Sequence, residues 1–139
     1  VIGGIIGTAA MSFFMFVGQL IGMPKMNPAV MLSFMLGVPL FFGWLIHFMI
    51  GLIFAFTYSY LIIKLLKKIN NNIIKGVLFG LIAFFIAQVA LAILGAFFPM
   101  PSMEGNMMLM MIGSVIGHII FGLIVAIVVK VNTVKKLFP

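Results

Sequence analysis

Two histidines, His47 and His118, are the residues of this sequence with the clearest capacity for chemistry. Each lies in an apolar run, GWLIHFMIG or SVIGHIIFG, and each is followed four residues later by a glycine, Gly51 or Gly122. Residues four apart share one face of a helix, and small residues let helices approach closely in lipid. We therefore expect both faces to turn inward, with the two imidazoles opposite each other across a helical bundle.

The paired histidines allow two interpretations. In the first, neutral imidazoles from opposite sides ligate the iron of a b-type haem, with Gly51 and Gly122 where the macrocycle meets the backbone. The absence of arginine, which could bind the haem propionates, weighs against this. In the second, each imidazole donates one hydrogen bond to a neighbouring helix and stabilises the bundle by about 0.6 to 2 kcal/mol. The sequence leaves both open.

Methionine offers a different metal chemistry. Four methionines lie in the two loops that contain the sequences MPKM and MPSM, namely Met23, Met26, Met100 and Met103. Thioethers are soft ligands that select Cu(I), so a copper site in these loops is a second alternative. Methionine is also an ordinary apolar filler, and the chain has 13 of them.

The elements that position these residues are predicted by composition. The chain has 139 residues, of which 65% are hydrophobic and 6% charged, with a mean hydropathy of +1.43. These values are far from those of soluble domains and indicate an integral membrane protein. The length accommodates about four helices of roughly 20 to 26 residues and no soluble domain. Glu104 is the only carboxylate and there is no cysteine, so we expect no enzymatic activity.

The predicted fold is an all-α, four-helix membrane bundle that forms a single domain over residues 1–139. The apolar runs predict spans at Val1–Ile21, Pro39–Ile63, Ile73–Phe98 and Met107–Val129. Prolines bracket a segment between the first two spans that is too short to cross the membrane. We expect a short interfacial or re-entrant helix there.

The lysines predict orientation. The net charge is +7, and seven of the eight lysines flank one side of the predicted spans: Lys64, Lys67, Lys68, Lys75, Lys130, Lys135 and Lys136. Only Lys25 lies on the other side. The positive-inside bias places both termini in the cytoplasm, which predicts a bacterial inner membrane protein. No basic face with interleaved aromatics exists, so no nucleic-acid partner is expected.

An internal repeat is also predicted, with copies at residues 1–68 and 73–139. Gly3-x3-Gly7 corresponds to Gly76-x3-Gly80, and the MPKM loop corresponds to the MPSM loop. The run Gly43-x3-His47-x3-Gly51-x3-Ala55 corresponds to the run Ser114-x3-His118-x3-Gly122-x3-Ala126. Because each copy contains two spans, the copies would be parallel helical hairpins related by an axis along the membrane normal.

The segments GMPKM and MLGVPLFFGWLIHFMIGLIFAFTY, within Gly22 to Tyr58, resemble a family of small four-helix bacterial membrane proteins known only as a domain of unknown function. The resemblance covers most of the chain and implies a compact helical membrane protein. It implies no established activity, so it assigns no functional residue.

These observations predict a non-enzymatic structural or accessory subunit of a larger membrane assembly. Its expected partners are the lipid bilayer and other membrane subunits or further copies of itself. The prediction is motivated by glycine faces that outnumber what one small bundle needs. The alternatives are a haem protein of membrane electron transfer and, third, a transporter of copper or a small solute.

Overall fold

The computed structural model describes residues 1–102 and 105–137, with side chains up to residue 130. Within those residues the regular structure is entirely helical, and four helices are long and apolar enough to cross a membrane. The predicted all-α fold with four spans is therefore confirmed.

Five helices make up the described chain. They are α1 (Ile2–Leu20), α2 (Pro28–Leu36), α3 (Leu40–Leu65), α4 (Asn72–Phe97) and α5 (Met107–Leu137). The candidate spans are α1, α3, α4 and the Met107–Lys130 part of α5, with 19, 26, 26 and 24 residues. Each predicted boundary lies within two residues of the observed one, because the ends of apolar runs track the thickness of the bilayer.

The short helix predicted after the first span is α2, and its ends follow from local chemistry. The side chain of Asn27 accepts hydrogen bonds from the backbone N–H groups of Ala29 (3.0 Å) and Val30 (3.2 Å). Pro28 occupies the first turn, where its missing N–H costs nothing. Gly37 ends the helix in the left-handed region, at φ +63°. A short helix after the first span is thus confirmed.

Helix α1 contacts both α3 and α5. Glycines make these contacts close. A Cβ atom on Gly4 would lie 3.1 Å from the Cβ of Ala55 on α3, and one on Gly7 would lie 2.9 Å from the ring of Phe121 on α5. Gly4 and Gly7, three residues apart and so about 60° apart around α1, therefore touch different helices.

The contact between α4 and α5 is the most extensive in the bundle and is a crossing of two backbones. A Cβ on Gly80 would lie 2.6 Å from the Cα of Ile119, and one on Gly76 would lie 2.7 Å from the Cα of Leu123. From the other side, a Cβ on Gly122 would overlap the carbonyl oxygen of Gly76. No side chain fits between these helices, so glycine is required here.

An aromatic cluster joins the two hairpins formed by α1 with α3 and by α4 with α5. Tyr58 and Phe79 are each 1% exposed, and their ring centroids are 4.8 Å apart. Phe79 also contacts Phe121, at 6.0 Å between centroids. Tyr58 begins a π-helical segment, Tyr58–Ile62, inside α3. The sequence analysis did not predict this segment.

The two ends of the bundle differ in character. At one end, which we call the loop end, Gly105 lies against Pro24: a Cβ on Gly105 would be 3.1 Å from the Cβ of Pro24. The opposite end, called the lysine end, carries the start of α1 and the turn between α3 and α4. Its described lysines are Lys64, Lys67, Lys68, Lys75 and Lys130.

The glycine contacts predict unequal effects of the same substitution. We expect Gly80→Ala to lower the free energy of unfolding by about 1 to 3 kcal/mol, because the added methyl group meets a backbone that cannot move aside. Gly3→Ala is the matched control, since its Cβ would have no neighbour nearer than 3.5 Å. Thermal unfolding in detergent, followed by circular dichroism, measures both. Equal stability of the two variants would contradict the proposed backbone crossing.

Candidate functional site

His47 lies on α3 and is 8% exposed. Its Nε2 atom is 3.3 Å from the hydroxyl oxygen of Ser12 on α1. The same hydroxyl donates to the backbone carbonyl of Thr8, at 2.8 Å. Because a serine hydroxyl has a single proton, its oxygen then accepts from Nε2–H of the histidine. The contact therefore joins two helices through one tautomer of His47.

His118 has a different environment on α5. Its Nδ1 atom is 2.8 Å from the carbonyl oxygen of Ser114, one turn earlier in the same helix. A carbonyl oxygen only accepts, so Nδ1 carries the proton and Nε2 carries the lone pair. The ring is half-buried and meets the edge of Phe84 on α4, at 5.7 Å between centroids. This histidine thus bonds within its own helix and packs against another.

The glycines predicted to face a haem are occupied by helix contacts. Gly51 lies against Thr8 of α1, whose hydroxyl a Cβ on Gly51 would overlap. Gly122 lies against Gly76 and Gly80 of α4. A macrocycle beside either glycine would have to displace a helix. Ligation of haem by His47 and His118 stays a prediction, as does their opposition across the bundle.

Two of the four methionines predicted as copper ligands come together. Met23 and Met26 fold back from the loop onto α5, where a Cβ on Gly113 would lie 2.8 Å and 2.6 Å from their methyl carbons. Met100 lies instead over Gly95 of the helix that precedes it. Met103 lies outside the described residues, as does Glu104.

A cleft of about 260 Å³ opens beside α1 near the loop end. The residues that matter most for its chemistry are Ser12, Met15, Gln19, Met26 and Trp44. The amide of Gln19 donates to the backbone carbonyl of Met26, at 3.2 Å, and so closes one wall. Sequence reasoning missed this cleft, although the seven-residue spacing of Ser12 and Gln19 places both on one face of a helix.

Groups of three or more His, Cys, Asp or Glu side chains that could hold a metal ion are absent from the described residues. A site for a hard divalent cation would normally need such a group. Apart from the lysine amines and the aromatic rings, the described residues offer imidazole, thioether, hydroxyl and amide groups.

The fold and these sites define a four-span helical membrane protein with a small polar interior. Residues 1–137 match the model of a family described as "Family of unknown function (DUF6789)", and the chain belongs to that family. The resemblance seen in the sequence is thereby confirmed. Neither a curated protein nor a solved structure matches the chain.

The contact between Ser12 and His47 predicts an energetic coupling. In a double-mutant cycle of Ser12→Ala and His47→Leu, we expect a coupling free energy of about 0.6 kcal/mol, the usual value for hydrogen bonds between membrane helices. Unfolding in mixed micelles of increasing SDS content measures each variant.

The matched control for that cycle pairs His47→Leu with Ser59→Ala. The hydroxyl of Ser59 donates to the carbonyl of Ala55 in its own helix, at 2.9 Å, so no coupling is expected. If both cycles gave the same value, the hydrogen bond between α1 and α3 would be contradicted.

Proposed function

We propose that this protein is a non-enzymatic structural or accessory subunit of a larger membrane assembly, and that α4 contacts its partner. The observation that carries the proposal is an exposed stripe on α4, called the α4 outer face. It consists of Phe85, Val89, Ala92 and Ala96, all of which are exposed. Little of the α4 span is buried inside the chain, and the same is true of α3.

Helix geometry supports the α4 outer face as a single surface. At about 100° per residue its four positions fall within about 60° of one another. The buried residues Gly76, Gly80 and Ala83 lie on the opposite side of the helix. Two alanines in an exposed stripe would let a second helix approach closely, which is how membrane helices associate.

The helix glycines support the proposal less than the sequence suggested. Gly4, Gly51, Gly80 and Gly122 all contact other helices of the same chain. They therefore stabilise the bundle itself, and the surface offered to a partner is made of alanine and larger apolar residues. Every buried side-chain nitrogen and oxygen of the described residues has a hydrogen-bond partner, which suits a packing role. The expected absence of enzymatic activity stays a prediction.

The proposed orientation in the membrane follows from the lysine end. We expect this end to face the cytoplasm of a bacterial inner membrane, since Lys64, Lys67 and Lys68 are exposed there. The loop end would then face outward. The lipid bilayer itself is the partner that the four apolar helices imply.

The proposed repeat gains support from matching contacts. Gly51 contacts Gly4, and Gly122 contacts Gly76. His47 meets Ser12 on α1, as His118 meets Phe84 on α4. These contacts pair Gly4 with Gly76, whereas the sequence analysis paired Gly3 with Gly76. The two alignments differ by one residue. In each hairpin the glycine contact and the histidine contact thus join the same two helices in the same order along the chain. Two copies of one unit would show this pattern.

The two other candidate functions remain proposals with their own requirements. A haem protein needs both imidazoles to reach one iron. It also needs Gly51 and Gly122 to lose their present contacts with neighbouring helices. Transport of a small solute needs a route through an interior whose polar groups are already paired.

Substitutions on the α4 outer face test the proposed role. We expect the protein in mildly solubilised native membranes to migrate as part of a larger complex on blue-native gels. Ala92→Phe together with Ala96→Phe should remove most of that complex, because the added rings prevent close approach of a partner helix. Ala9→Phe, at an exposed alanine of α1, is the matched control and should leave the complex in place.

Two results would count against the role as a subunit of a larger assembly. Migration of the unmodified protein only as a monomer, or an unchanged complex in the doubly substituted variant, would contradict it. Circular dichroism of the variants should show unchanged helix content, since the substituted side chains face away from the bundle.

A further inference from the structure

The cleft near the loop end contains an unusual combination of side chains. Two thioethers, from Met15 and Met26, line it together with the amide of Gln19, the hydroxyl of Ser12 and the indole of Trp44. Phe13, Phe16, Asn27 and Pro28 complete the lining, and most of the cleft surface is apolar. Two methionines from different segments thus share a cleft with few polar groups, which favours a soft ligand over a hard one.

Glycines on α5 hold these methionines in place. The methyl carbon of Met15 would lie 3.1 Å from a Cβ on Gly117, and that of Met26 would lie 2.6 Å from a Cβ on Gly113. The two glycines are one helical turn apart. The side chains of Met15 and Met26 therefore lie at neighbouring depths along α5, with their methyl groups against it.

The charges around the cleft restrict the ligand. Carboxylates are absent from its lining, and the chain has a net charge of +7, so Mg²⁺ and Ca²⁺ would lack the oxygen ligands they need. Thioethers bind soft ions and favour Cu(I). The face of an indole also attracts a cation, and the Trp44 ring lines the same cleft.

An imidazole lies close to these groups. The Nε2 atom of His47 is 3.3 Å from the hydroxyl oxygen of Ser12, which is itself part of the cleft lining. Imidazole is a good ligand for copper. Because Nε2–H donates to Ser12, Nδ1 is the ring nitrogen with a lone pair for an ion, and His47 is an additional ligand rather than a principal one.

We infer that this cleft is a Cu(I) site, with the thioethers of Met15 and Met26 as its principal ligands. The inferred ligands differ from the loop methionines predicted from the sequence: Met26 is retained and Met15 is added. It does not depend on the proposed role as an accessory subunit, because the cleft and the α4 outer face are different surfaces.

Competition for Cu(I) tests this site in the full chain. The purified protein in detergent is titrated without oxygen with an acetonitrile complex of Cu(I), in the presence of bicinchoninate. We expect one Cu(I) per chain. Replacing Met15→Leu and Met26→Leu together should weaken binding by about 10- to 100-fold or more, at least the loss seen when a supporting residue of a metal site is removed.

The matched control replaces two exposed methionines outside the cleft, Met49→Leu and Met107→Leu, and should bind like the unmodified protein. Leucine nearly conserves the volume of methionine, so helix content should be retained in all variants. If the Met15 and Met26 double variant does not fold, Met26→Leu alone is measured, since Met26 lies in the loop.

Three results of the titration would overturn the site. The first is failure of the unmodified chain to compete for Cu(I), and the second is unchanged binding in the folded cleft variant. The third is an equal loss in the control variant. X-ray absorption at the copper edge should show sulfur neighbours, and a spectrum with nitrogen and oxygen neighbours alone would also contradict it.

Discussion

Close contact between helix backbones is the constraint on which this structure depends. Lipid tails are as apolar as leucine, so burial of apolar side chains gives membrane helices little reason to associate. What remains is van der Waals contact, which is strongest where no side chain separates two helices. Gly80 against Ile119, and Gly4 against Ala55, supply that contact in the two hairpins. The positions of the histidines and of the cleft follow from these crossings.

The lipid environment also constrains the polar side chains. With no water available in the bilayer core, a hydroxyl must find a partner inside the protein. Thr8, Ser12 and Ser59 each donate to a carbonyl one turn earlier in their own helix. The contact between Ser12 and His47 is the exception that connects two helices. A polar interior that is mostly satisfied locally leaves the α4 outer face and the cleft as the surfaces available for function.

The sequence predicts the elements of this fold better than their relations. The four spans and α2 depend on bilayer thickness and on local signals such as Asn27 and Gly37, which need no knowledge of the rest of the chain. The partner of His47, the register of Gly4 and the return of Met26 onto α5 depend on the rotation and depth of helices relative to one another. A small stripe identifies the inner face of a helix, but not which helix it meets. The π-helical turn at Tyr58 has no sequence signal of comparable strength.

The α1–α5 contact is tested most directly by a cysteine pair, because the chain has no cysteine of its own. A Cβ on Gly3 would lie 3.5 Å from the Cβ of Val128, within the range of about 3.5 to 4.5 Å for disulfides. On oxidation in membranes, Gly3→Cys with Val128→Cys should form a bond within one chain, whereas Gly3→Cys with the exposed Ile127→Cys should not. The predicted result is a monomer that migrates faster without reductant. Crosslinked dimers in its place, or no bond at all, would contradict the packing of α1 against α5 within one chain.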